Sequence, residues 1–236
     1  MFLVPPTVPA RPRAERQQRT AEVYSSPEMT AMAEQLKLRK AAAVTVIIGL
    51  NVAVYLAQEV TGGSSSISNL IRFGANSHEL VAQGEYWRLL TSVFLHIGFA
   101  HLLFNTLALW TFGSDLEKLY GTGKFVAIYL LCGIGGSAAS FQFSQIGVSA
   151  GASGAIFGLV GLSLVFGIRY RGTIPPRYKS RFGTGVLPVI LYNIMFGFRP
   201  GSHIDNFAHL GGLACGILLG LVIPPQITNS DDPPVS

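Results

Sequence analysis

The chain has 236 residues, of which 49% are hydrophobic and only 12% are charged, with a mean hydropathy of +0.43. Ordinary soluble domains carry roughly a quarter charged residues. This chain has too few polar residues to cover its apolar side chains in water. The composition also excludes a disordered, collagen-like or disulfide-stapled chain. We therefore predict an all-α membrane protein with several spanning helices. The net charge of +5 does not indicate nucleic-acid binding, because the basic residues flank apolar stretches and form no single patch.

The chain divides into an arm, a membrane domain and a tail. Residues 1–40 are predicted to be a cytoplasmic arm, disordered except for a short helix before the membrane. An organelle transit peptide is the alternative, and acidic residues such as Glu15 and Glu22 argue against it. Residues 41–223 form the predicted membrane domain, and residues 224–236 form a short polar tail. Cys132 and Cys215 lie in apolar runs and are expected to be inert packing thiols.

Six apolar stretches follow the arm, each near the ~17–25 residues that a membrane-spanning helix needs. The fifth is short and contains Pro188, which makes it the weakest of the six predictions. The stretches cover residues 41–58, 96–113, 124–143, 152–168, 185–198 and 207–223.

Lysines and arginines in the connections predict the orientation. With the N-terminus inside, fourteen of the seventeen lie on the inner side, and only Arg72, Arg88 and Arg199 lie outside. The sequence therefore predicts a six-transmembrane-helix bundle with both termini inside (N-in, C-in). The long outer connection, residues 59–95, contains Tyr86, Trp87 and Arg88, and we expect it to be a partly helical loop anchored in the outer interface.

The second, fourth and sixth stretches all enter from the outer side, and each carries polar residues near its entry. At 1.5 Å per residue, these side chains lie within roughly 5–14 Å of the outer boundary. They are His96, His101 and Asn105 in the second, Ser149 and Ser153 in the fourth, and Asn206 and His209 in the sixth. Three helices therefore present a hydroxyl, imidazoles and amides in one layer.

A glycine stripe in the sixth stretch, Gly212, Gly216 and Gly220, is predicted to draw this helix against the fourth. That approach would bring His209 within hydrogen-bond reach of Ser153. A neutral histidine can serve as the base that activates a serine hydroxyl. The Ser153 N–H, the Asn105 amide and the His101 ring can donate to an oxyanion. The pattern indicates a buried serine hydrolase that opens toward the outer face.

Four motifs carry a resemblance to a known family: YWRLLTSVFLHIGFAHLLFN, DLEKLYGTGK, GASG and AHLGGLACG. In this order and on these stretches, the chain resembles the rhomboid family of intramembrane serine proteases over about residues 42–223. The resemblance implies a rhomboid-like six-helix bundle with a Ser–His dyad and no third acidic member. It implies no metal and no cofactor.

The resemblance also implies a role for each site residue. Ser153 is the expected nucleophile, and His209 the expected general base and then acid. His101, Asn105 and the Ser153 amide form the expected oxyanion hole. Gly151 shapes the turn before the serine, and Phe157, where the family more often has Tyr, packs against the histidine.

Other polar residues have structural interpretations. Glu117 is expected to pair or cap backbone groups, and Trp87 with Arg88 resembles a structural pair of the outer loop. His96 is expected to order the loop, and Asp205 is not expected to complete a triad with His209. His78 and His203 are predicted to be solvated loop residues. The fifth stretch and residues 199–206 resemble the family's lateral gate and cap.

The predicted activity is an endopeptidase that cleaves transmembrane segments of single-pass membrane proteins near the outer face. The protein would lie in the lipid bilayer, most simply that of a prokaryotic plasma membrane, with an organelle membrane as the other setting. The alternative is a non-catalytic membrane chaperone or dislocation factor of the same fold. A transporter is less favoured, because inverted repeats and midplane acidic residues are not visible. The natural substrate and the oligomeric state are left open.

Overall fold

The computed structural model describes residues 26–199, 202 and 204–227. Residues 1–25 of the arm, His203 and most of the tail lie outside these described residues. Almost all regular structure in the described ranges is helical. The helices are α1 Pro27–Leu38, α2 Ala42–Val60, α3 Ile67–Phe73, α4 His78–Ala82, α5 Arg88–Thr91, α6 Phe99–Ala108, α7 Ser114–Tyr120, α8 Thr122–Phe143, α9 Ser153–Arg169, α10 Leu187–Gly197 and α11 Asn206–Val222. Two short strands, β1 Asn76–Ser77 and β2 Val148–Ser149, pair antiparallel.

Each of the six predicted apolar stretches contains a helix. By length and composition, two helical segments of the described chain can cross a membrane, Pro27–Val60 and Thr122–Phe143. A bent pair, Arg88–Phe94 with Phe99–Tyr120, makes a third if it counts as one span. The apolar helices α9 and α11 have 17 residues each and α10 has 11. At 1.5 Å per residue, 17 residues cover about 26 Å, slightly less than the hydrocarbon core of a bilayer.

The second stretch differs from its predicted bounds of 96–113. The chain bends by 91° between Phe94 and Phe99, and Gly98 adopts a φ of +77° at the bend. The helix then continues through a π-helical turn, Leu109–Gly113, into α7. The predicted helix starts too early because apolar residues on both sides of His96 made it look like part of the helix. It ends too early because the charged residues that follow Gly113 look like a loop. Those charges are buried and paired, so the helix continues.

Glu117 is one of these buried charges and caps the start of α2. Its two carboxylate oxygens accept hydrogen bonds from the backbone N–H groups of Ala43 (2.8 Å) and Val44 (2.9 Å). The hydroxyl of Thr122 also donates to it, at 2.9 Å. The predicted structural role of Glu117 is confirmed: its carboxylate satisfies backbone donors that would otherwise be orphaned at the helix start.

The short helix predicted before the membrane is confirmed by α1. Its side chains Met32 and Leu36 are fully buried in the main hydrophobic core. Gln35 donates to the carbonyl oxygens of Lys118 and Gln226, at 2.7 Å each. Helix α1 is therefore packed on the bundle, against α7 and the segment that follows α11.

Helices α8, α9 and α11 pack side by side, and most of α9 is buried between its neighbours. A Cβ atom on Gly212 would collide with the carbonyl oxygen of Gly154, and one on Gly216 with that of Gly158. The glycine stripe therefore lets the backbones of α11 and α9 touch, which confirms the predicted close approach of these two helices.

Two contacts define the ends of the bundle. At one end, which we call the upper end, the Ser140 hydroxyl near the end of α8 donates to the Asp205 carboxylate just before α11. At the other, the lower end, the Gln226 N–H donates to the Leu119 carbonyl of α7 at 2.7 Å. The upper end thus collects the starts of α9 and α11 and the end of α8.

The connection 59–95 lies beside the upper end and is partly helical, as predicted, with α3, α4 and α5. Arg88 is buried and holds this loop together. Its guanidinium donates to the carbonyl oxygens of Ile71 (2.7 Å) and Ala75 (3.3 Å) and pairs with Glu85 at 2.7 Å. It also lies 4.4 Å from the centre of the Trp87 ring. The predicted structural role of the Trp87–Arg88 pair is confirmed.

Candidate active site

Ser153 is the first residue of α9 and follows a turn that only glycine fits well. Gly151 has a φ of +142°, in a region that side chains rarely adopt. A Cβ atom there would lie 2.8 Å from Nε2 of His101 and 3.7 Å from Oγ of Ser153. The His101 ring therefore packs directly on the turn that presents Ser153, and α6 and α9 meet at this point.

His101 has a defined hydrogen bond that sets its protonation pattern. Its Nδ1 accepts the backbone N–H of Ile97 at 3.3 Å. A neutral imidazole whose Nδ1 accepts must carry its proton on Nε2. The donor nitrogen of His101 is thus the one that faces the Gly151 turn beside Ser153.

Asn105 lies one turn after His101 on α6 and is buried. Its Nδ2 is fully buried and has no hydrogen-bond partner among the described residues. A buried amide N–H group without an acceptor costs free energy. The Asn105 amide is therefore a candidate donor to an acceptor that forms transiently, such as an oxyanion.

His209 lies in the first turn of α11, and only 5% of its surface is exposed. Its ring stacks on Phe157, with the ring centres 4.1 Å apart and the planes 8° apart. Phe157 lies one turn after Ser153 on α9, so the stack places His209 against the same stretch of helix.

Ser153 and His209 are not joined by a hydrogen bond in the described part of the chain, and Nδ1 of His209 is buried without a partner there. In unliganded structures catalytic hydrogen bonds are often long, and they tighten when substrate binds. The structure therefore brings the two helices together without a hydrogen bond between these two side chains.

Of three other predicted polar residues, His96 and Ser149 lie outside the helices in which they were expected, whereas Asn206 begins α11 as predicted. His96 lies in the bend before α6, and the centre of its ring is 5.3 Å from the centre of the His101 ring. Neither of its ring nitrogens has a hydrogen-bond partner among the described residues. Ser149 lies in β2, opposite Asn76 of β1, so it is not part of α9. Asn206 donates to the Ile194 carbonyl at 3.3 Å and so links α11 to α10.

Two smaller predictions concern His78 and the two cysteines. His78 is exposed, as expected, but its Nδ1 also lies 2.9 Å from the carbonyl oxygen of Phe141 in α8. Cys132 and Cys215 are free thiols on the packed helices α8 and α11.

Asp205 has a larger part in the structure than the sequence indicated. Its side chain accepts the N–H of Ala208 at 3.1 Å, which makes it the N-cap of α11, and it also accepts the Ser140 hydroxyl. It makes no triad-type bond to Nδ1 of His209, in line with expectation. An aspartate directly before an apolar helix is a standard N-cap signal, and reading it would have found this role.

The arrangement can support acyl transfer. A hydroxyl at the start of α9, an imidazole in the first turn of the adjacent α11, and the His101 ring on the Gly151 turn lie at the upper end. The buried Asn105 amide lies one turn after His101 on α6. Groups that develop negative charge are stabilised by such fixed donors and by the positive end of a helix dipole.

Comparisons with known proteins place this chain in a family. The family model of the Rhomboid domain matches residues 83–226. Rhomboid protease GluP of Bacillus subtilis is 47% identical over 171 residues, which are 72% of this chain and 32% of GluP. RHOMBOID-like protein 1 of Arabidopsis thaliana is 40% identical over 169 residues, 70% of this chain and 42% of the relative.

The match to rhomboid protease AarA of Providencia stuartii is 34% identical over 199 residues, covering 74% of this chain and 70% of AarA. The chain spans less than half the length of GluP and of the Arabidopsis relative. The Rhomboid model nevertheless covers more than half of the chain, including every residue of the upper-end site. The apolar helices fit the family that the match identifies. The chain therefore belongs to the rhomboid family of integral membrane proteins.

Proposed function

We propose that this protein is an intramembrane serine endopeptidase that uses Ser153 and His209 as a catalytic dyad. The observation that carries the proposal is that α6 and α11 both contact the first turns of α9. His101 packs on the turn that presents Ser153, and His209 stacks on Phe157 one turn later. The GluP and AarA relatives, both named rhomboid proteases, support the same class of activity.

In the proposed reaction, Oγ of Ser153 attacks the carbonyl carbon of the scissile peptide bond and gives its proton to the imidazole of His209. The carbonyl oxygen becomes an oxyanion, which accepts hydrogen bonds from the Ser153 N–H, Nε2 of His101 and Nδ2 of Asn105. Collapse of the intermediate breaks the C–N bond, and His209 returns the proton to the leaving amine. Water then hydrolyses the acyl-serine by the same steps.

The proposed placement is a six-span bundle with both termini inside and the upper end toward the outer face. Ser153 begins α9, and His209 is the fourth residue of α11, so both lie within about 6 Å of their helix starts. This shallow depth lets water reach the site. The proposed substrates are transmembrane segments of single-pass proteins with helix-destabilising residues near the cut, because a regular helix shields its peptide bonds. A prokaryotic plasma membrane is the proposed setting.

The alternative is a non-catalytic protein of the same fold that binds transmembrane helices. The unmade hydrogen bond between Ser153 and His209 is the observation that favours it. Exposed apolar side chains on α10, including Tyr192 and Met195, would contact a substrate helix in either case.

The test is cleavage of a single-pass reporter by purified protein in liposomes. Wild type is expected to cleave, and Ser153→Ala and His209→Ala are expected to lose cleavage by a factor of about 10³ or more. Ser163→Ala is the matched control, because it removes a different hydroxyl from α9, and it is expected to retain cleavage. His78→Ala, at the exposed first residue of α4, is the control for His209→Ala. Cleavage that persists in Ser153→Ala would overturn the proposal, as would a folded wild type that cleaves no reporter.

A further inference from the structure

Asp205 is a buried carboxylate at the upper end that the proposed dyad does not use directly, and only 8% of its surface is exposed. Both of its oxygens are engaged. Oδ1 accepts the N–H of Ala208 at 3.1 Å, and Oδ2 accepts the hydroxyl of Ser140 from α8. The carboxylate thus caps α11 and ties its first turn to the end of α8.

His209 depends on that first turn. Its backbone N–H donates to the carbonyl oxygen of Asp205 at 3.2 Å, which is the hydrogen bond that begins the regular part of α11. The direction in which the imidazole leaves the helix is therefore set by the residue that caps it. A shift of the cap would move His209 relative to Phe157 and Ser153, and an error of about 1 Å in such a geometry can cost about 10²-fold in rate.

The charge of Asp205 also acts on His209. When Ser153 gives up its proton, His209 becomes a cation in the first turn of a helix, where the positive end of the helix dipole opposes a cation. The Asp205 carboxylate lies one turn earlier on the same helix and opposes that effect. In a poorly hydrated site, a negative charge at this separation acts more strongly than it would in bulk water.

Among the described residues, His101 of α6 is a second ionisable side chain that acts on His209. Its Nδ1 accepts a backbone N–H, so the ring is neutral and supplies no charge that could stabilise an imidazolium. Phe157 covers a face of the His209 ring from α9 and is apolar. Asp205 is thus the carboxylate placed to stabilise an imidazolium at this site.

We propose that Asp205 is a positioning residue of the dyad: it fixes the first turn of α11 through Ala208 and Ser140, and its charge stabilises the protonated form of His209 during proton transfer. The inference rests on the proposed function. It differs from a catalytic triad because no hydrogen bond joins the carboxylate to the His209 ring, whose Nδ1 is unpartnered among the described residues.

Asp205→Asn separates charge from structure. Asparagine is as good an N-cap as aspartate: its oxygen can still accept from Ala208, and its NH2 group can donate to the Ser140 hydroxyl, but it carries no charge. The experiment measures kcat and KM for the reporter, the rate at which a fluorophosphonate labels Ser153, and the Tm in detergent. We expect Asp205→Asn to lower kcat and the labelling rate about ten- to thirtyfold, with KM within about twofold and little change in Tm.

Ser140→Ala removes the tie to α8 and keeps the charge, so we expect a smaller loss of kcat, about three- to tenfold. Glu79→Gln is the matched control, because it neutralises an exposed carboxylate of α4, and it should behave like wild type. A fully active Asp205→Asn would overturn the inference. So would an Asp205→Asn that loses activity only in proportion to a loss of folded protein.

The two proposals fail in different ways. A wild type that is not labelled at Ser153 and does not cleave would overturn the proposed function, and this inference with it. A wild type that cleaves and is labelled, beside an Asp205→Asn with unchanged kcat, would overturn the role of Asp205 alone.

Discussion

The two ends of the bundle differ in the hydrogen-bond partners of their buried polar groups. At the lower end the buried carboxylates are paired: both Glu117 oxygens accept backbone donors, and Asp115 pairs with Arg181 at 2.7 Å. The buried hydroxyls of Ser114, Tyr129 and Ser163, by contrast, have no partner among the described residues. At the upper end, His96, Asn105 and His209 all hold buried nitrogen atoms that lack partners among the described residues. Unpartnered buried groups cost stability, and the unpartnered nitrogen atoms of the described residues gather toward the upper end, where the proposed reaction would use them.

This difference suggests a division of labour along one set of helices. The lower end ties α1, α2 and α7 together and contributes stability. The upper end keeps its hydrogen-bonding capacity free for substrate, as the proposed function requires. Substitutions at the two ends should therefore separate loss of folding from loss of activity.

The largest effect is expected for Glu117→Ala at the lower end. Removing the carboxylate leaves the buried N–H groups of Ala43 and Val44 without acceptors, at about 1–3 kcal/mol each. We expect the free energy of unfolding to fall by about 2–5 kcal/mol, read as a lower Tm in detergent, with kcat retained by the folded fraction. Glu117→Gln keeps one acceptor oxygen and should lose less. A wild-type Tm for Glu117→Ala would contradict the proposed division.

Gly151→Ala is the matching change at the upper end. The added Cβ would lie 2.6 Å from Cε1 of His101, in a backbone conformation that alanine disfavours. We expect kcat and fluorophosphonate labelling to fall about 100-fold, with a smaller loss of Tm than for Glu117→Ala.

Gly147→Ala is the control for Gly151→Ala, because a Cβ atom at Gly147 meets nothing within 4 Å. It should leave cleavage unchanged. If Gly151→Ala cleaved at the wild-type rate, the contact between His101 and the Ser153 turn would have no part in the reaction.

The smallest effect is expected at Phe157. Phe157→Ala removes the ring on which His209 stacks and should lower kcat about five- to tenfold, because the imidazole loses a wall that limits its orientation. Phe157→Tyr keeps the stack and should remain close to wild type. Steady-state kinetics with the same reporter checks both variants, and equal activity of all three proteins would show that stacking does not matter.

Local patterns were enough to predict much of this protein. Each of the six apolar runs contains a helix, and glycines at four-residue spacing predicted the contact between α9 and α11. Their place near the outer ends of three apolar runs, and then the motif resemblance, singled out Ser153, His209, His101 and Asn105. Their catalytic roles remain proposals. The boundary of the second helix was wrong because Asp115 and Glu117 look like loop residues until their buried partners are known.

The sequence by itself determined the membrane class, the positions of the helices and the candidate nucleophile and base, because hydropathy and short motifs are local properties of a chain. Only the tertiary structure decided which polar groups are paired. The bond between Ser140 and Asp205 joins residues 65 positions apart, and Glu117 caps a helix that begins more than 70 residues earlier. Such pairings depend on where the packed helices place their ends, and no spacing within one helix encodes that.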